Sequence, residues 1–176
     1  DSRTIAFAAD GKLKRIEATG GPVQTIADVG AAGMLGGSWN PDGLIIVGHL
    51  PGPLSRVPAA GGALETLTAL DASAKETAHH FPHFLPDGRH FLFMSLAGSA
   101  PGTYLASLDG MSPVRLTTDL GLVEYLPSGW LFMNRANTLI AQRLDLNQAA
   151  LVGEVVTVAD TVGGFSTSAN GLVAYR

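Results

Sequence analysis

Four of the five histidines in this 176-residue chain fall in one stretch: His79, His80, His83 and His90, with Glu76 just ahead of them. Imidazole nitrogens and a carboxylate could hold zinc or a related ion. On an extended strand His79 and His83 share a face, while His80 points the other way. No second ligand set occurs elsewhere in the sequence. The preferred reading is therefore an innermost strand whose polar residues line a channel and bond to backbone or water. Glu76, His79, His80 and His83 become candidates for recognition at that channel or its upper mouth, with no metal and no cofactor expected.

Other chemistry-bearing residues point to architecture. Asp42 and Asp87 precede glycine in a recurring turn, where an Asp side chain can cap the backbone two residues on; Asp1 occupies the equivalent place. The stretch from Gly30 to Gly37 is glycine-rich but lacks the Gly-Lys-Ser/Thr ending of a phosphate loop, and reads as a link between repeats. Ser38 and Ser99 lie in no Gly-x-Ser-x-Gly elbow, so neither is a marked nucleophile. Trp39, Trp130 and Phe84 could stack on a sugar, but their places in apolar strands favour core packing.

What positions these residues is a repeat. Asn40-Pro41-Asp42-Gly43 recurs as Leu85-Pro86-Asp87-Gly88, as Leu126-Pro127-Ser128-Gly129 and more loosely as Ser168-Ala169-Asn170-Gly171, at intervals of 45, 41 and 42 residues. A second marker keeps the beat: Leu13-Lys14-Arg15-Ile16 before Gly20-Gly21, and Leu54-Ser55-Arg56-Val57 before Gly61-Gly62, offset by 41. Each turn is followed by a nearly continuous apolar run, such as Leu44-Ile45-Ile46-Val47 or Phe91-Leu92-Phe93-Met94, which must be covered on both faces. Asp10-Gly11 and Asn170-Gly171 mark tight hairpins. The run Val155-Val156-Thr157-Val158 favours strand over a helical turn.

Composition agrees with many short strands. Apolar residues make up 46% and charged residues 15%, with 22 Gly and 10 Pro. A net charge of −4 without a basic run argues against a nucleic-acid partner. No apolar stretch approaches the ~20 residues of a membrane-spanning helix, and the absence of cysteine excludes disulfides and thiolate metal sites.

Units of ~40 residues with four strands each are β-propeller blades. The expected fold is all-β: about four four-stranded antiparallel blades (1–29, 30–71, 72–120 and 121–162), a partial fifth (163–176), the whole a fragment of a larger propeller. Flanking blades, or another copy of the chain, are expected at its open edges.

Pro86-Asp87-Gly88-Arg89-His90-Phe91-Leu92-Phe93 resembles the TolB-type, WD40-like propeller repeat. The longer run 76–93, with Arg56-Val57-Pro58-Ala59-Ala60-Gly61-Gly62, is similar to propellers fused behind bacterial serine/threonine protein kinase domains. The third turn departs from that pattern, with Ser128 where Asp is usual. The resemblance implies a non-catalytic module for protein or ligand recognition in a sensory or regulatory protein, outside the cytoplasmic membrane, with any catalysis in another domain. The alternatives are a propeller gating a prolyl-oligopeptidase-like hydrolase and a TolB-like periplasmic adaptor.

Overall fold

The structure, a computed structural model, describes residues 3–30, 33–96, 98–168 and 170–176. Among these there is no helix. The first sheet holds β1 (Thr4–Ala9), β2 (Lys12–Glu17) and β3 (Gln24–Asp28). Three-stranded order gives way to four in the second, with β4 (Met34–Trp39), β5 (Leu44–His49), β6 (Ser55–Pro58) and β7 (Glu65–Thr66). The third comprises β8 (His79–Phe84), β9 (His90–Ser95), β10 (Gly102–Ser107) and β11 (Val114–Thr117). The fourth comprises β12 (Val123–Tyr125), β13 (Trp130–Arg135), β14 (Thr138–Asp145) and β15 (Ala150–Ala159). A final pair is β16 (Phe165–Thr167) and β17 (Val173–Tyr175). Every ladder is antiparallel between sequence neighbours.

The second strand of each full sheet explains how the sheets stack. Successive side chains on a strand point to opposite faces, and here both faces are apolar. Ile45 and Val47 pack with Leu13, Ile26 and Val29 of the first sheet. Between them, Ile46 turns the other way to join Phe84, Phe91 and Phe93 of the third. Leu92 meets Leu131, Met133 and Ile140 of the fourth sheet, and Phe132 packs with Val162 and Phe165 toward the last pair. Four separate cores thus lie between consecutive sheets. Ile46, Phe93 and Leu131 are at most 1% exposed, and Phe132 is buried too.

Turn chemistry follows the sequence with one correction. Asp10 and Gly11 both take positive φ, 53° and 70°, as a two-residue hairpin requires. Asp87 accepts the backbone N–H groups of Arg89 and His90 through Oδ1, as expected of a cap. Asp42 does not: it is exposed, and Asn40 caps that turn by accepting the Leu44 N–H at 2.8 Å while donating to the Gly88 carbonyl. Asn40 stands two residues before Asp42, and its amide can both accept from its own strand and donate to the next sheet, which a carboxylate cannot do. Asp1, and Ala169 of the last turn, lie outside the described residues.

The glycine-rich stretch is also more than a link. Ala31 and Ala32 lie outside the described residues, but β4 begins at Met34 and contains Gly36 and Gly37. A Cβ on Gly36 would stand 2.8 Å from the Phe81 Cα, and one on Gly48 of β5 would stand 2.6 Å from the Leu35 carbonyl oxygen. These glycines let β8 lie close against the second sheet.

Candidate functional site

The first strand of the second, third and fourth sheets and of the final pair each carries one residue five positions before the turn glycine: Ser38, His83, Glu124 and Ser166. Two of them tie one first strand to the next by the same device. Ser38 Oγ on β4 accepts the Phe84 N–H of β8 at 2.9 Å. Glu124 Oε2 on β12 accepts the Thr167 N–H of β16. His83 occupies the corresponding place between β8 and β12. Burial pushes its imidazole below the ordinary value, and the negative charge of Glu124 pulls part of the way back.

Above this level the strands enclose a cavity of about 400 Å³. Its lining combines His83 and Glu124 with Phe81, Leu120, Leu122 and the open backbone of Gly36 and Gly37. Phe81, Leu120 and Leu122 are 49%, 45% and 47% exposed, which gives the cavity an apolar rim. Below it, Ser38, Trp39, His83, Phe84 and Tyr125 line a second space of about 320 Å³. His83 therefore lines both spaces. Glu124 is a site residue that sequence reading missed, although its offset from Gly129 matches that of His83 from Gly88.

The other predicted site residues do not join His83. A bulge between His80 and His83, with Phe81 at φ 49°, breaks the alternation that would have put His79 and His83 on one face. His79 turns into the core against Phe93, ring centroids 4.5 Å apart. Its Nδ1 lies 2.8 Å from Thr68 Oγ1 and its Nε2 3.2 Å from Glu76 Oε2. A carboxylate only accepts, so in the neutral imidazole Nε2 carries the proton toward Glu76 and Nδ1 accepts the Thr68 hydroxyl, whose oxygen also accepts the Leu54 N–H. Glu76 in turn accepts the Asp71 N–H. This hydroxyl–imidazole–carboxylate chain resembles a catalytic relay in residue type, but its side chains are buried and its hydroxyl is engaged twice. It fixes the crossover from the second sheet to the third.

Ser38 and Ser99 have no imidazole partner among the described residues; the Ser99 N–H donates to the Ala74 carbonyl. Trp130 packs against the fourth core with the Arg143 guanidinium 4.6 Å from its ring centre, and Trp39 against the first. Phe84 lies in the core between the second and third sheets. No group of three or more His, Asp or Glu is arranged to hold a metal ion among the described residues.

His80 is 2% exposed, and neither ring nitrogen meets a hydrogen-bond partner among the described residues. Burial lowers its pKa, and that of His49, His79 and His83. Below the ordinary value of 6.5 the unfolded chain therefore binds protons that the folded chain refuses. Stability should be full above that pH and decline as pH falls below it. Urea unfolding at pH 7.5 and 5.0 checks this: the midpoint should be lower at pH 5.0. His80→Leu should raise stability by ~1 kcal/mol at pH 7.5 and flatten the pH dependence, because it removes buried polar atoms that gain nothing in return. An equal or higher midpoint at pH 5.0 in the wild-type chain would contradict the assignment of these rings.

No protein-family model matches the sequence, and no curated protein matches it. Solved structures do. The chain superposes on TolB from Acinetobacter baumannii with a TM-score of 0.68 at 20% identity, over 93% of this chain and 42% of that one. A gluconolactonase from Xanthomonas campestris gives 0.71 at 14% identity, over 99% of this chain and 66% of that one. The calcium-binding protein regucalcin from Agrobacterium tumefaciens gives 0.69 at 15%, over 99% and 63%. The chain has the β-propeller fold. It spans less than half of the TolB chain and just under two thirds of the other two. The five sheets are thus propeller blades, β4, β8, β12 and β16 are their innermost strands, and the cavity beside His83 opens on the propeller axis.

Proposed function

We propose that this propeller array is a non-catalytic recognition module, the sensory or regulatory part of a larger protein such as a bacterial serine/threonine kinase, and that it binds at the axial cavity beside His83 and Glu124. The carrying observation is how its polar groups are used. Ser38 and Glu124 hold neighbouring inner strands together. The hydroxyl–imidazole–carboxylate chain of Thr68, His79 and Glu76 is buried and fully engaged. What remains open is an apolar-rimmed cavity with two ionisable side chains, a composition suited to binding.

The gluconolactonase likeness makes lactone hydrolysis the enzymatic reading to test, and the regucalcin likeness makes calcium the metal to test. The purified chain should not hydrolyse glucono-δ-lactone, peptide esters or ATP above the rate of buffer. Calorimetric titration with calcium or zinc should give no stoichiometric heat. Turnover that vanishes in Glu124→Gln, or tight metal binding lost in His79→Ala with His83→Ala, would overturn the reading.

A further inference from the structure

The cavity also specifies a class of ligand, an inference that rests on the recognition reading above. We propose that it takes a small organic ammonium ion with an apolar body, the ammonium on Glu124 and the body against Phe81, Leu120 and Leu122. Three observations converge. Glu124 is the carboxylate in a lining otherwise made of apolar side chains, glycine backbone and one imidazole. Its Oε2 is held by the Thr167 N–H, which fixes the carboxylate in place, while Oε1 makes no hydrogen bond among the described residues. The neighbouring His83 lines the same cavity, and burial lowers its pKa against the opposing pull of Glu124, which favours the neutral ring with its lone pair.

Each half of such a ligand has a matching surface. A charge-assisted N–H···O bond in a half-enclosed, apolar site is stronger than the same bond in water. The rim residues, each close to half exposed, lose apolar surface to water only when something covers them. An anionic ligand would meet Glu124 without a cation to offset it, because no Lys or Arg lines the cavity. A neutral one could donate to Oε1 but would leave the carboxylate without a counter-charge.

The test uses the full chain, labelled at histidine rings and leucine methyls, and three probes of one shape: 2-phenylethylamine, 2-phenylethanol and 3-phenylpropionate. The amine should shift His83 and Leu122 resonances and bind about tenfold or more tightly than the alcohol. The propionate should bind more weakly still. Glu124→Gln keeps an acceptor for the Thr167 N–H, and should bring the amine down to the alcohol's affinity with the thermal midpoint little changed. Leu122→Ala removes part of the exposed rim and should weaken the amine and the alcohol together while leaving their ratio unchanged, a pattern that loss of folding cannot mimic. Equal affinity for amine and alcohol, insensitivity to Glu124→Gln, or no movement of Leu122 at millimolar amine would each overturn the ammonium assignment. The first of these leaves recognition at the cavity standing. Lactone turnover, in contrast, defeats the non-catalytic reading whatever the amine does.

Discussion

Phe93→Ala should lower the free energy of unfolding by ~3–5 kcal/mol. Phe93 is 1% exposed in the core between the second and third blades. Its ring stacks on Tyr104 at 5.4 Å and also meets His79 and Phe91. Truncation removes a large buried surface and leaves a hole walled by paired strands, which cannot collapse without breaking their hydrogen bonds. Val156→Ala, at a residue 46% exposed on the outer strand β15, should change stability by no more than about 0.5 kcal/mol. Chemical denaturation of both variants provides the check. A loss below about 1 kcal/mol for Phe93→Ala would mean that β9 does not form the centre of a two-faced core.

The second large effect concerns the edges. Among the described residues β1 pairs only with β2, and β17 only with β16. Both edges are apolar: Ile5 is 54% exposed, Leu172 69% and Tyr175 56%. An unpaired strand with apolar side chains is a template for another chain. The isolated 176-residue chain is therefore expected to self-associate as concentration rises, with light scattering giving a mass well above the 18.2 kDa of one chain. Leu172→Lys with Tyr175→Lys should lower that mass toward the monomer. A wild-type monomer at high concentration, with slowly exchanging amides at both ends, would contradict the open-edge account.

The fold class was legible because two signals in the sequence are physically independent. Glycines at 43, 88, 129 and 171 mark turns, while β5, β9 and β13 are apolar at consecutive positions because each serves two cores. The site was less legible. His83 is marked by residue type, whereas Glu124 carries no such mark, standing alone in the repeat whose turn has Ser128. Parity along the strand misplaced His79, because the Phe81 bulge places a bulky residue at positive φ, which sequence pattern does not mark. The hairpin at Ala136 and Asn137, φ 49° and 65°, was likewise invisible without a glycine. Alignment on the turn glycine, rather than strand alternation, places Ser38, His83, Glu124 and Ser166 in equivalent positions.

The most direct test of recognition at the propeller axis is histidine-ring NMR during a screen of small fragments spanning cations, anions and neutral apolar compounds. His83 lines the axial cavity, His90 is held beside Asp87 at the turn after β8, and His49 ends β5. The account predicts that bound fragments move the His83 resonances, leave those of His90 and His49 in place, and lose their effect in Glu124→Gln when they carry an ammonium group. Fragments that gather at His49 or His90, or a screen in which none moves His83, would contradict it.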